Sequence, residues 1–195
     1  SRVAGRPVEV ITLTPRDQHR YGFELYLDSE TGVTLKSLLL NDKGQLLERF
    51  QFITFDPAAP SESQLKPTAR CLPVVASNTS ASAPKSSQIW HSDWLPPGFE
   101  LVASAVTRDP QTKSEVTNLL YDDGLTRFSV FLEPLLGAAV PDSRLQLGPT
   151  VAVSRHLTSP DGDMMATVVG EIPMGTAERI ALSMRSGVVT PQGKP

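Results

Sequence analysis

Tyr21-Gly22-Phe23-Glu24-Leu25-Tyr26-Leu27-Asp28 alternates strictly, with Tyr21, Phe23, Leu25 and Leu27 on one side and Glu24, Tyr26 and Asp28 on the other. Side chains change face at every residue of a strand, so this octet reads as a strand half buried on one side. Asp28 to Gly32 is a short polar loop with a glycine available for positive φ, and Val33 to Leu40 is the next strand. Asn41-Asp42-Lys43-Gly44 repeats the device before Gln45 to Phe55, and Val8 to Thr14 precedes the octet. The expectation is a four-strand antiparallel meander whose connections are all hairpin-length except Pro15 to Arg20.

One face of such a sheet must be covered, and residues 1–56 contain no amphipathic helix or second sheet to cover it. The C-terminal region covers it, or a missing N-terminal part of a longer chain does, or a partner does. If a partner is the cover, it is another chain or a second copy in a homo-oligomer.

Proline marks the next boundary. The 195-residue chain holds 17 Pro, and Pro57, Pro60, Pro67, Pro73 and Pro84 fall among seven Ser and six Ala, with no Gly or aromatic residue from 57 to 88. Such a stretch buries too little apolar area to offset its ordering entropy, so 57–88 reads as a linker. The net charge of −3 leaves no basic footprint for nucleic acid, and a single Cys excludes an internal disulfide and a Cys-rich zinc site.

Residues 89–187 read as a second domain. Ile89 to Phe99 carries both tryptophans and a Pro96-Pro97-Gly98 turn. Glu100 to Thr107, Glu115 to Tyr121, Thr126 to Leu132, Thr150 to Leu157 and Met164 to Gly170 read as strands, separated by turn clusters that include Asp122-Asp123-Gly124 and Pro134 to Ser143. After Pro173, Ala177, Ile180, Ala181 and Met184 fall at i, i+3, i+4 and i+7, one apolar stripe of a helix. Gly175 or Thr176 is the expected cap, Glu178 suits the positive end, and Arg185 with Gly187 suits the other. A five-stranded antiparallel sheet crossed by this helix makes an α+β domain, with 188–195 as a flexible tail.

The chemistry is sparse. His19, His91 and His156 lack the spacing that aims two rings at one metal, and no nucleophile elbow, phosphate-binding loop or paired-carboxylate motif occurs. His91 with Asp93 is a candidate catalytic pair, for hydrolysis, or ligand pair, outweighed by a structural or surface role. The Asp-rich turns at 122–124 and 161–163 lack the alternating ligands of a calcium loop and read as hairpins. Asn78-Thr79-Ser80 matches a glycosylation sequon, which chance explains better in a Ser/Thr-rich tract, and Cys71 reads as an inert exposed thiol. No catalytic residue, cofactor or metal is expected. Trp90, Trp94 and Phe99 are aromatic anchors for either a core or an interface.

The blocks Tyr21 to Lys36 with Asp42-Lys43-Gly44, Leu95-Pro96-Pro97-Gly98-Phe99, Tyr121 to Leu132, and Val168 to Pro173 before Thr176 to Ile180 occur in one order. In that order they resemble the RseB/MucB family of periplasmic regulators of envelope-stress sigma factors; the first block alone is shared with lipoprotein carriers of the LolA type. The resemblance implies that 1–56 is the C-terminal part of a LolA-like unclosed antiparallel β-barrel. It implies that 89–187 is the small α+β domain that binds the periplasmic segment of a membrane-bound anti-sigma factor. It further implies shielding of that segment from regulated proteolysis, release by lipid or lipopolysaccharide, and no enzymatic activity. Trp94, Leu95, Phe99, Phe128 and Phe131 are the partner-binding residues expected on this reading, and Phe128 and Phe131 have opposite parity, so at most one is freely exposed. The alternative is a periplasmic lipid or lipoprotein carrier of LolA type.

Overall fold

The computed structural model describes residues 1–68, 71, 88–109, 113–160 and 162–188. The N-terminal sheet runs β1 (Arg2–Val3), β2 (Arg6–Leu13), β3 (Gly22–Asp28), β4 (Thr34–Leu40) and β5 (Leu46–Gln51), antiparallel and in sequential order. It has five strands rather than four, because Ala4 and Gly5, at φ 49° and 76°, turn Arg2–Val3 back onto the start of β2. β5 ends at Gln51 rather than Phe55: the Phe52 N–H donates to the Leu35 carbonyl at 2.8 Å, and the Phe52 ring packs edge-on against Phe50 and Phe55.

Asp28 closes β3 as a buried carboxylate. Arg6 donates to it through Nε at 2.6 Å and Nη2 at 3.0 Å, and Thr31 adds its backbone N–H and hydroxyl. The Arg6 hydrogen bonds lower the Asp28 pKa well below the usual carboxylate range; burial opposes them, and the Thr31 donors reinforce them.

The register places Ile11, Leu25, Ser37 and Phe50 opposite one another on one face. Ile11 is 43% exposed and Phe50 52%, so among the described residues this part of the face is uncovered, while Leu39, two residues along β4 from Ser37 and opposite Phe23, is buried. Beyond the sheet lies a four-residue helix, α1 (Glu62–Leu65); the remainder of the 57–88 segment, including the Asn78 sequon, is mostly outside the described residues, as is the tail. Cys71 is exposed.

The second sheet has six antiparallel strands: β7 (Glu100–Arg108), β8 (Glu115–Asp122), β9 (Arg127–Pro134), β10 (Ser143–Leu147), β11 (Thr150–Ser159) and β12 (Gly162–Gly170), in the order β10-β11-β12-β9-β8-β7. The sequence reading had five. β10 escaped it because a five-residue strand with every position exposed carries no burial alternation. A separate ribbon pairs β6 (Gln88–Ser92) with β13 (Met184–Val188), which follows α2 (Met174–Ser183).

Val153, Val168, Val130 and Leu119 stand opposite one another across β11, β12, β9 and β8, and all are buried. α2 lies on this row with Ala177, Ile180 and Ala181 fully buried, which is the stripe its spacing demanded. Burial of the Ile180 side chain stabilises by about 1.5–3 kcal/mol, and each alanine methyl by less. Gly170 is required here: a Cβ at that position would lie 2.5 Å from Phe128 Cβ and 2.8 Å from the Arg127 carbonyl oxygen.

The helix ends differ from expectation. The N-cap is Pro173, not Gly175 or Thr176; its carbonyl accepts from the N–H groups of Thr176 and Ala177. Proline carries no N–H to satisfy, and its restricted φ suits the entry to a helix. At the other end Gly187 is no cap but a β13 residue paired with Ile89, because the chain turns directly from helix into strand at Met184. Met184 therefore fills its place in the buried stripe as the first residue of a strand. Glu178 lies one turn inside the helix, where Arg144 Nε approaches it at 2.6 Å and ties β10 to α2.

Candidate functional site

The one long connection of the N-terminal sheet, Pro15 to Arg20, carries the residues that reach the second unit. Arg20 Nε donates to Asp123 Oδ2 at 2.6 Å, its Nη1 donates to Asp17 Oδ2 at 2.5 Å, and its Nη2 donates to the Pro97 carbonyl. The same guanidinium stands 4.7 Å from the Phe99 ring centroid. Asp123 terminates the β8–β9 hairpin and also accepts the backbone N–H groups of Leu125 and Thr126. Burial opposes its ionisation, but the bonds from Arg20, Thr126 and Leu125 outweigh that cost and hold its pKa below the ordinary value.

Tyr21 and His19 flank this pair. The Tyr21 hydroxyl donates to the Ile172 carbonyl at 3.3 Å, and burial followed by the negative charge of Asp42 pushes its pKa up. His19 Nδ1 is hydrogen-bonded to Thr176 Oγ1 at 3.1 Å, and its ring meets Trp94 edge-on at 5.0 Å. Trp94 in turn carries the Arg179 guanidinium 3.8 Å over its face. Three successive residues, 19 to 21, thus clamp the Pro-Pro-Gly turn, the β8–β9 hairpin and the start of α2.

Four of the five expected partner-binding residues gather near this seam. Trp94 is half-buried against His19 and Arg179, and Leu95 packs half-buried on the core. Phe99 and Phe128 are core side chains at 5% and 1% exposure, with Phe128 stacked on Tyr121 at 5.0 Å and tilted against Phe99 at 5.1 Å. Phe131 lies half-buried on the opposite face of the sheet, beside Thr167 and Asn118.

Sequence reasoning missed His19, Arg20, Asp123 and Arg179. The only signal was the length of the Pro15 to Arg20 connection, and Asp123 looked like a turn residue, which it also is. His91 and Asp93 do approach, Nε2 to Oδ1 at 3.2 Å, but both are about half exposed and Asp93 is shared with Arg185. Among the described residues no three His, Cys, Asp or Glu side chains are placed to share a metal ion, and no helix is long and apolar enough to cross a membrane.

Comparison with known proteins agrees with this architecture. The MucB/RseB N-terminal domain family matches residues 1–69 and the MucB/RseB C-terminal domain family matches residues 84–185. The chain is 59% identical over 186 residues to the sigma factor AlgU regulatory protein MucB of Pseudomonas aeruginosa, covering 95% of this chain and 58% of that protein. It is 33% identical to the sigma-E factor regulatory protein RseB of Escherichia coli K12, covering 96% of this chain and 57% of that one. The chain thus spans somewhat over half the length of these relatives. Among solved structures it superposes on MucB in complex with MucA(peri) with a TM-score of 0.84 at 58% identity, over 97% of this chain and 65% of that one. On a crystal structure of MucB the TM-score is 0.66 at 54% identity, over 96% and 60%. Two domain matches that follow one another along the chain, and a fold shared at high identity, establish that this chain belongs to the MucB/RseB family of sigma-factor regulatory proteins.

Proposed function

We propose that this chain is part of a periplasmic, non-enzymatic negative regulator of an envelope-stress sigma factor. It binds the periplasmic segment of a membrane-bound anti-sigma factor and shields that segment from regulated proteolysis. The observation that carries this reading is the superposition on MucB in complex with periplasmic MucA, at 58% identity over 97% of this chain. Occlusion needs no catalytic group, only a complex populated by mass action. Lipid or lipopolysaccharide acts as the release signal by favouring the conformation with lower affinity for the segment.

In this reading 1–56 and 89–187 are two units tethered by 57–88, and contact with the partner falls in the region of Trp94, Leu95, Phe99, Phe128 and Phe131. Phe99 and Phe128, being core, shape the surface from below; Trp94, Leu95 and, on the other face, Phe131 supply exposed area. Calorimetric titration of this chain with a periplasmic MucA segment is the test, paired with the rate at which a protease cuts the segment. Saturable binding with slowed cleavage is expected; a segment that neither binds nor gains protection overturns the reading.

The uncovered part of the apolar face of the N-terminal sheet, with Ile11, Leu13 and Phe50 between 37% and 52% exposed, favours a second reading as a lipid or lipoprotein carrier. Lipid co-purifying with the chain at one equivalent, without affinity for the MucA segment, would select it.

A further inference from the structure

The seam holds two arginines with different fates. Arg20 is consumed by Asp17, Asp123 and the Pro97 carbonyl, whereas Arg179 has no carboxylate or other acceptor among the described residues. Exposed to solvent, its guanidinium lies 3.8 Å over the face of Trp94. A guanidinium uses its flat face for an aromatic ring and its edge for hydrogen bonds, so stacking on Trp94 leaves the in-plane N–H donors available and fixes their plane.

Beside Arg179 lies a cleft of about 440 Å³ lined by Gln18, His19, Asp42, Gly175 and Thr176. It lies between the connection that clamps the two units and the first turn of α2, a ten-residue helix. The N–H groups of Met174 and Gly175 precede the first intrahelical acceptor and have no partner within the helix. Gly175 lines the cleft with open space: a Cβ there would meet no atom within 4 Å. Asp42 sets the charge limit, because its carboxylate shares the lining and a dianion beside it would meet more repulsion than a monoanion.

We propose that this cleft receives a carboxylate side chain of an acidic peptide, gripped edge-on by Arg179 with the start of α2 beneath it. The inference rests on the reading of the chain as a peptide-binding regulator and names the chemistry of that recognition. A planar, singly charged acceptor matches the edge of one oriented guanidinium. Because the cleft is walled by both units, its occupant touches His19 of the first and Arg179 of the second.

The test has two arms on the whole chain. In the first, amide and Arg side-chain NMR signals of Gly175 and Arg179 are followed during titration with the monoanion N-acetylglutamate α-amide, whose only carboxylate is the side chain's, and, separately, inorganic phosphate. Saturable shifts with N-acetylglutamate α-amide and weaker ones with phosphate are expected. No saturable shift, or a response to phosphate as strong, overturns the carboxylate site whatever the larger partner proves to be. In the second, synthetic periplasmic MucA segments are titrated with their acidic residues intact or replaced by Asn and Gln. Arg179→Gln is expected to weaken the intact segment about ten- to a hundredfold, with Arg179→Lys in between. The amide segment should bind the native chain that much more weakly and lose nothing further on Arg179→Gln. Gly175→Leu, which fills the cleft from a position free of steric conflict, should weaken binding as well. Equal affinity of Arg179→Gln and native chain for the intact segment overturns the proposal. Failure of the unaltered chain to bind any MucA segment overturns the regulator reading instead, and the first arm still decides the cleft.

Discussion

Arg20 and Asp123, 103 residues apart, form an ion pair of 2.6 Å that joins the N-terminal sheet to the tip of the β8–β9 hairpin. The side chains are 17% and 8% exposed, so the pair is largely withdrawn from water and removing one partner strands the other. Arg20→Ala is expected to cost about 3 kcal/mol at the seam and to loosen the two units, read as an increased radius of gyration in solution scattering. Asp123→Ala should cost more, because the hairpin amides of Leu125 and Thr126 also lose their acceptor. A double-mutant cycle that proves additive would show that the two residues do not act as a pair.

Gly170→Ala tests the closest approach in the core. The added methyl would meet the Phe128 side chain and the β9 backbone at 2.5–2.9 Å, and backbone cannot move aside as a flexible side chain can. A loss of about 2–3 kcal/mol in urea unfolding is expected; an unchanged midpoint would contradict the packing of β12 on β9.

Asp28 sets the acid limit of the N-terminal sheet. Its folded pKa lies below its unfolded value of about 3.9, so the folded state releases this proton more readily. The stability it confers is complete above the unfolded pKa and disappears as pH falls from there towards the folded pKa. Urea midpoints between pH 2 and 6 should drop along that limb in the native chain, and Asp28→Asn should flatten it while lowering stability at neutral pH. An equally steep limb in both would assign acid sensitivity elsewhere.

Glu171 runs the opposite way. Burial, and then the negative charge of Glu48 on β5, raise its pKa, so its contribution favours the folded state below the ordinary carboxylate pKa and weakens as pH rises through the raised value. Glu171→Gln should therefore gain stability relative to the native chain at pH 7 and not at pH 4, measured by thermal unfolding.

His91→Ala addresses the remaining enzyme-like pair. His91 and Asp93 are about half exposed and Asp93 keeps Arg185 as a neighbour, so the affinity proposed above for a periplasmic MucA segment should change by less than about twofold, within the range of a surface substitution. A large loss of function in that variant would reopen the pair as a site.

The strands with strict alternation and the buried stripe of α2 were legible because one-sided burial imposes its period on the residues themselves. β10 was not, since a strand exposed at every position imposes none. The Pro173 cap was missed because its action is through a carbonyl, which every residue possesses, and Gly187 misled because pairing with Ile89 overrode its capping preference. Phe128 and Phe131 were distinguishable by parity, but which one faced α2 was not.

By itself, the order of residues determined two antiparallel units, an apolar N-terminal face in want of a cover, and the helix that seals the second core. These follow from short-range periodicity, which each segment carries within its own few residues. Only the tertiary structure decided the seam: that Arg20 meets Asp123, that His19 leans on Trp94, and that Arg179 stacks on Trp94 with no acidic partner among the described residues. Each of these joins residues about seventy to over a hundred positions apart in sequence or depends on such a junction, and no local pattern records which distant charge will be met and which will be left open.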